Sequence, residues 1–345
     1  MGKKIRIKDI AARLGLSSTL VSLVINNKAD QHGIKRETQE KVMLLAHKMG
    51  YFLTKPEENS VQPVQESPGL IGMIVPSMSD PFIIELVPYM QKALGSIGIG
   101  LSVMTRDPLD RRFARFIPGF KKFFSGLILT GDTADDVTIR ALRANDYPFI
   151  IIESNPQNMR LNLVRSDCKA GVELMIHHIQ KLGYINITLV SRENPVSLVY
   201  ESLDFFKNFI SELIPGSILN EALVARIPGV NNIDTEMLSE YLRPPYKTQL
   251  FVVSEASLVY PVMEYLVDNN IRVPHDVALV SLEDGIGFDL FYTPVTRIRR
   301  QIPELASKAS KMIWTEIKNS GHSKFKRTVI ITPELVIAKS CGSII

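Results

Sequence analysis

The feature that most constrains this chain is a pattern of short helices in its first fifty residues. Ile10, Ala11 and Leu14 fall on one face of a first helix. Gly15 suits the end of that helix, because glycine readily adopts a left-handed backbone, and Ser17 is a good N-cap for the next helix. The spacing therefore predicts two short helices joined by a tight turn.

The second predicted helix has one apolar face and one small, polar face. The side chains expected to face inward are Leu20, Val21, Val24 and Ile25, and those expected to face outward are Ser18, Thr19, Ser22 and Asn26. Small polar side chains let a helix approach base edges in the major groove of DNA. A third amphipathic helix is expected from Val42, Leu45, Ala46 and Met49. Three such helices predict a helix-turn-helix domain.

Charge separates this N-terminal segment from the rest of the chain. Residues 1–55 contain eleven lysines and arginines against four acids, a net charge of +7, whereas the whole chain carries +4. A basic segment can neutralise phosphates, which supply the sequence-independent part of DNA affinity. Charge alone would equally fit a solvated basic domain, and the helix pattern favours DNA binding over that alternative.

From residue 70 onward, short apolar runs alternate with longer amphipathic ones. The apolar runs predict strands at 70–75, 100–105, 126–130, 149–153, 163–166, 185–191, 223–227, 250–254, 277–282, 296–300 and 328–331. The amphipathic runs predict helices at 82–97, 170–182, 198–214, 258–269 and 303–319. Alternation of this kind indicates βαβ units with mainly parallel sheets. So many units predict two α/β lobes.

These motifs resemble the lactose-repressor (LacI/GalR) family of bacterial transcription regulators. The matching segments are Asp9-Ile10-Ala11, Gly15-Leu16-Ser17, Val21-Ser22, Glu40-Lys41-Val42, Asp80-Pro81-Phe82, Leu182-Gly183 and Val273-Pro274. The resemblance implies an α/β protein, with a three-helix headpiece followed by a two-lobe core like that of periplasmic binding proteins. It also implies a homodimer that binds operator DNA.

The resemblance also implies domain boundaries. The expected parts are a headpiece at 1–55, a linker at 56–69, a first lobe at about 70–166 and 297–327, and a second lobe at about 167–296 and 328–345. An effector would bind between the lobes, at the carboxyl ends of parallel strands. Its expected class is a carbohydrate or a related small molecule.

The DNA contacts implied by the resemblance lie in the first two helices and just beyond them. They are Lys8, Ser17, Ser18, Thr19, Ser22, Leu23, Asn26 and Lys28. The family usually has arginine where this chain has Leu23. Arginine can bind guanine through two hydrogen bonds, worth about 1–3 kcal/mol of base discrimination. Leu23 can only touch a thymine methyl group or cover the headpiece, and both roles stay open.

The linker departs from the family pattern as well. The family has a short helix here, with a leucine that wedges into the minor groove. This chain has Glu57 and Glu58 in that region and Ser60 in place of the leucine, while Pro56 and Pro63 limit any helix to one or two turns. We therefore expect an extended linker that bends DNA weakly or not at all.

The third departure is in the predicted effector cleft. The positions assigned to it are Asp80, Phe82, Asp167, Ser202, Glu255 and Glu283. Several carboxylates with no matched arginine disfavour a phosphorylated or carboxylated effector, because like charges repel. A neutral polyol, an amine-bearing ligand or no ligand stay open. The alternative is that the acids are exposed at the rim or pair with Arg297, Arg299 and Arg300.

Other functional classes receive little support from the sequence. The two cysteines, Cys168 and Cys341, make neither a disulfide framework nor a metal set, and no catalytic motif is present. We therefore expect no enzyme activity, no cofactor and no metal. A charged N-terminus and the absence of a long apolar run predict a cytoplasmic protein. The rival hypothesis is a small-molecule binding protein with a degenerate headpiece.

Overall fold

The computed structural model describes residues 5–25, 29, 32–49, 51, 69–107, 110–154, 160–193, 197–224, 235–319 and 326–343. The chain divides into two compact units, Met1–Ser67 and Pro68–Ile345, called here the headpiece unit and the core unit. The predicted DNA contacts Asn26 and Lys28 lie outside the described residues. So do all linker positions except Gly69.

The headpiece unit contains three helices, α1 (Ile7–Leu14), α2 (Ser18–Ile25) and α3 (Arg36–Lys48). Helix α1 ends at Gly15, whose φ of 62° is left-handed. The Ser17 Oγ then accepts a hydrogen bond from the Leu20 amide at 3.1 Å, which caps α2. The three helices pack around fully buried Ile10, Val21, Val42 and Ala46. The predicted helix pattern is confirmed.

The first sheet of the core unit has six parallel strands. In spatial order they are β11 (Thr328–Ile331), β5 (Leu163–Ser166), β4 (Phe149–Ile152), β3 (Gly126–Thr130), β1 (Ile71–Val75) and β2 (Leu101–Thr105). The helices that accompany it are α4 (Pro81–Gly95), α5 (Ile117–Phe120), α6 (Asp136–Ala144) and α11 (Ile302–Lys318). Helices α4 and α11 bury their apolar residues against one face of this sheet. This layer is the first lobe.

The second sheet also has six strands. In spatial order they are β12 (Glu334–Val336), β10 (Thr296–Arg299), β9 (Ala278–Ser281), β8 (Leu250–Val253), β6 (Asn186–Arg192) and β7 (Ile218–Val224). Its helices are α7 (Cys168–Leu182), α8 (Ser197–Leu213), α9 (Leu238–Leu242) and α10 (Ala256–Asp268). Only β12 is antiparallel to its neighbour among the pairs described. The sheet and these helices form the second lobe.

The chain passes between the lobes three times. Two strands belong to a different lobe from the one that we predicted. Strand β10 pairs with β9 and β12, so it belongs to the second lobe. Strand β11 pairs with β5, so it belongs to the first lobe. The predicted boundaries at residues 297 and 328 were wrong for these two strands, because an apolar run indicates a strand but not the sheet it joins.

Candidate functional site

The predicted DNA-contacting residues that the structure describes lie on α1 and α2 or at the turn between them. Lys8 is exposed on α1, and Ser17, Ser18 and Thr19 are exposed at the start of α2. One turn further along α2, Ser22 and Leu23 are half-buried. The amino end of α2 therefore presents small polar side chains on an exposed surface.

In the core unit, a cavity of about 280 Å³ opens between the two lobes. Four of the predicted effector-binding residues line it, namely Asp80, Phe82, Glu255 and Glu283. Each follows the carboxyl end of a parallel strand or begins the helix after it. In an open α/β sheet, this edge is where ligands bind. The structure thus brings these four residues together from both lobes.

Arg300 links the two lobes beside this cavity. It follows β10, and its Nε lies 3.4 Å from Glu153 Oε2 in the first lobe. Its Nη2 forms an ion pair with Glu283 of the second lobe, and its guanidinium carbon lies 5.1 Å from the centre of the Phe82 ring. Burial would lower the pKa of Arg300, but Glu283 and Glu153 outweigh that effect and raise it. Arg300 therefore stays charged and forms a partly buried bridge between the lobes.

Asp80 is the N-cap of α4, with its Oδ1 accepting a hydrogen bond from the Phe82 amide at 2.9 Å. Burial raises the pKa of this carboxyl, and the nearby charge of Glu283 raises it further. The capping bond and Arg300 act in the opposite direction, but they do not cancel the rise. Asp80 therefore combines a structural role with a poorly compensated negative charge.

Glu255 lies directly before α10, whose first amide is capped by another acid. The Glu283 Oε2 accepts a hydrogen bond from the Ala256 amide at 3.1 Å. Glu255 instead pairs with Arg192, whose Nε lies 3.2 Å from its Oε2. Burial, and then the charge of Glu283, raise the pKa of Glu255 despite this partner. Glu283 thus acts on both Asp80 and Glu255.

Asp284, the next residue, also lines the cavity and is held by two arginines. Its Oδ1 lies 2.6 Å from Arg297 Nε, and its Oδ2 lies 2.6 Å from Arg299 Nε. Arg297 is buried and also contacts Asp289 at 2.7 Å. The sequence analysis left open that the cleft acids pair with Arg297, Arg299 and Arg300. Glu283 and Asp284 do form such pairs, whereas Asp80 and Glu255 do not.

Two predicted effector-binding residues are not among those that line the cavity. Asp167 caps α7 by accepting a hydrogen bond from the Ala170 amide at 3.0 Å. The Ser202 hydroxyl donates to the Leu198 carbonyl of its own helix at 3.3 Å. Both side chains satisfy local backbone groups. Their assignment to effector binding stays a prediction.

Glu153 is one of the cavity residues that the sequence did not single out. It follows β4 with a left-handed φ of 50° and is 4% exposed. Its Oε1 accepts hydrogen bonds from the Ser166 amide at 2.6 Å and the Ser166 hydroxyl at 2.8 Å. The sequence does show an acid at the end of an apolar run, which could have marked Glu153 as a candidate. Its contact with Ser166 depends on the pairing of β4 with β5, which the sequence pattern does not give.

Comparison with known proteins shows which families and regulators this chain resembles. A family profile described as a periplasmic binding protein-like domain matches residues 176–341. The HTH-type transcriptional regulator DegA of Bacillus subtilis is 22% identical over 341 residues, covering 98% of each chain. The HTH-type transcriptional repressor PurR of Photobacterium profundum is 21% identical and covers 97% of this chain and 98% of its own.

Solved structures extend the likeness to the fold. The lac repressor dimer bound to operator and the anti-inducer ONPF has a TM-score of 0.66 at 17% identity, over 98% of this chain and 99% of its own. The chain therefore has the same fold as this repressor. A LacI-family regulator from Enterococcus faecium with bound ribose has a TM-score of 0.67 at 19% identity, over 79% of this chain and 98% of its own. The predicted fold class is confirmed, and these likenesses agree with the predicted resemblance to the LacI family.

The part of the chain that the structure describes contains neither a metal-binding cluster nor a membrane-spanning helix. No group of three or more His, Cys, Asp or Glu side chains there is arranged to hold a metal ion. None of the described helices combines the length and the apolar character needed to cross a membrane.

Proposed function

We propose that this LacI-type chain is a sequence-specific transcription regulator of the cytoplasm. It would bind operator DNA through the headpiece unit and respond to a small molecule bound in the cavity between the lobes. The observation that carries the proposal is the amino end of α2, where Ser17, Ser18 and Thr19 are exposed on a basic domain. In helix-turn-helix domains, the N-terminal residues of the second helix contact base edges.

The contacts divide into two classes with different signatures. Ser18, Thr19, Ser22 and Leu23, with Asn26, would contact base edges, so their replacement would change the preferred sequence. Lys8 and Lys28 would contact phosphate, so their replacement would weaken binding to all duplexes. Ser17 would chiefly hold α2 in place, through the cap it forms with the Leu20 amide.

The first experiment is selection of bound duplexes from a random pool, followed by titration of the selected duplex at several salt concentrations. We expect a pseudo-palindromic site, because a two-fold symmetric dimer presents two headpieces. Lys8→Ala should lower affinity uniformly and reduce the salt slope by about 1. Lys92→Ala, which removes an exposed charge from α4 of the core unit, is the charge-matched control.

The rival hypothesis of a small-molecule binding protein makes the opposite prediction for the same titration. A degenerate headpiece would bind the selected and scrambled duplexes with equal affinity at physiological salt. That result would remove sequence-specific regulation and leave only the core unit with a function.

A homodimer is the second part of the proposal. Three large apolar side chains on one segment of the second lobe are exposed, namely Ile286 (52%), Leu290 (87%) and Tyr292 (102%). We take this segment as the dimer interface, because apolar surface exposed in one region can mark an interaction site in soluble proteins. Sedimentation should give a dimer, and Leu290→Asp should shift it toward monomer. Phe123→Asp, at a 69% exposed position of the first lobe, is the control. If Leu290→Asp formed a dimer as stable as that of the parent protein, the dimer interface would have to lie at other residues.

A further inference from the structure

The cavity between the lobes is lined mainly by acids and apolar groups. Among the described residues that line it, the carboxylates are Asp80, Asp132, Glu153, Glu255, Glu283 and Asp284, and the basic group is Arg300. Apolar lining comes from both lobes, including Phe82, Leu198 and Val199. A ligand in this cavity therefore meets a strongly negative wall beside an apolar one.

The arginines near the cavity are already occupied by protein carboxylates. Arg300 is shared between Glu153 and Glu283, so it cannot offer a free guanidinium fork to a ligand phosphate or carboxylate. Arg297 and Arg299 are shared between Asp284 and Asp289 in the same way. An anionic ligand would have to break one of these pairs, and it would still face the remaining carboxylates.

Three of the lining acids have unused capacity as acceptors. Asp80 forms no ion pair among the described residues, and its carboxylate accepts backbone hydrogen bonds at the start of α4, including the cap from the Phe82 amide. Glu153 is 4% exposed, and its Oε2 accepts no hydrogen bond, although Arg300 Nε lies 3.4 Å away. Glu255 Oε1 is likewise buried without a hydrogen-bond donor. Buried carboxylate oxygens without donors favour a ligand that brings both donors and positive charge.

We propose that the effector of this LacI-type protein is a small organic cation that carries a protonated amine. The proposal rests on the proposed function only in placing the effector in the cavity. An organic cation fits better than a metal ion, because the lining includes aromatic and aliphatic side chains and no metal-binding group of three was found in the described residues. The cavity volume of about 280 Å³ limits the ligand to a small molecule.

The test compares amines with their uncharged counterparts. Thermal unfolding of the full chain is measured with glucosamine against glucose, and with 1,4-diaminobutane against 1,4-butanediol, at constant ionic strength and neutral pH. Glucose 6-phosphate serves as the anionic probe. We expect at least one of the two amines to raise the unfolding temperature in a saturable way, and its uncharged counterpart and the phosphate to have little effect.

Two isosteric variants locate the effect. Asp80→Asn keeps an oxygen that can cap α4, and Glu255→Gln keeps the shape and hydrogen bonding of the side chain, but each removes one negative charge. Each should lower the affinity for the amine by about tenfold or more, because the cation loses a nearby charge in a poorly solvated site. Asp110→Asn, which removes a charge from an ion pair with Arg112 outside the cavity lining, should leave it unchanged.

Four outcomes overturn the proposal. They are the absence of stabilisation by both amines, equal stabilisation by the neutral compounds, stronger stabilisation by glucose 6-phosphate, and an amine effect that Asp80→Asn and Glu255→Gln leave intact. Titration of the selected duplex in the same samples tests the proposed function separately. Specific DNA binding without an amine effect refutes only the cationic effector. An amine effect without specific DNA binding refutes only the DNA-binding part of the proposed function.

Discussion

Arg300→Met tests the view that the stability of the core unit depends on a partly buried guanidinium bridge. The substitution keeps an unbranched side chain but removes the charge between Glu153 and Glu283. The exposed fractions of the three side chains are 18%, 5% and 18%, so water can replace little of the lost interaction. Breaking a buried pair by removing one partner costs about 3–5 kcal/mol, because the other charge stays buried.

The expected result is a fall in the unfolding temperature of about 6–10 °C, since about 1 kcal/mol corresponds to about 2 °C in a unit of this size. Scanning calorimetry of the full chain would measure it. Arg112→Met is the matched control: Arg112 pairs with Asp110 at 2.9 Å, but its side chain is 78% exposed. We expect no resolvable shift from that variant, because exposed ion pairs contribute little.

A second substitution separates charge from packing. Glu283→Gln removes one of the two carboxylates that Arg300→Met leaves buried, so the double variant should recover part of the lost stability. A coupling of about 1–3 kcal/mol between the two positions is expected. If Arg300→Met shifted the transition no more than Arg112→Met, or if the two losses simply added, the bridge would not hold the lobes in the way that we infer.

Three further changes test individual positions. Gly15→Ala should lower the stability of the headpiece by about 1 kcal/mol in thermal unfolding, because alanine is strained at a φ of 62°, and an unchanged stability would contradict this. The control is Gly95→Ala, which should be neutral or stabilising, because Gly95 has equally open space around it and no positive φ. Asp80→Ala should lose about 1 kcal/mol with the cap of α4, whereas Asp80→Asn should not, and equal losses would show that the charge matters more than the cap. Raised pKa values at Asp80 and Glu255 mean that ligand-free stability falls as pH rises from about 3.8 and 4.5 through the folded pKa values. Asp80→Asn with Glu255→Gln should remove that fall in pH-dependent unfolding, and an unchanged pH profile would contradict the assignment.

The headpiece was predictable from sequence because its determinants are local. The spacing of Ile10 and Val21, the left-handed Gly15 and the Ser17 cap act within one or two helical turns. Most strands of the core were predictable for the same reason, since each is an apolar run between turns. Strand β12 was missed because it has only three residues and none of them is fully buried.

Long-range pairing explains what the sequence could not provide. The lobe to which β10 and β11 belong depends on hydrogen bonds to distant strands, so a local pattern could not assign it. The same holds for Glu153. It belongs to the site because β4 pairs with β5 and because Arg300 of the second lobe contacts it. The resemblance to the LacI family located Asp80 and Glu255, because the segments that match the family lie beside them, and each immediately precedes a helix.

Three of the departures from the LacI pattern in the core lie around one cavity. Asp80, Glu255 and Glu283 come from three separate segments of the chain, yet the structure places them around one cavity, and Glu283 raises the pKa of both other acids. Unrelated substitutions would be expected to scatter over the surface, with little effect on one another. Arg300 and Arg192 pair with Glu283 and Glu255. Even so, burial and the charge of Glu283 raise the pKa values of Asp80 and Glu255, so the two carboxylates weaken the empty protein, and a ligand that brings positive charge would offset this cost.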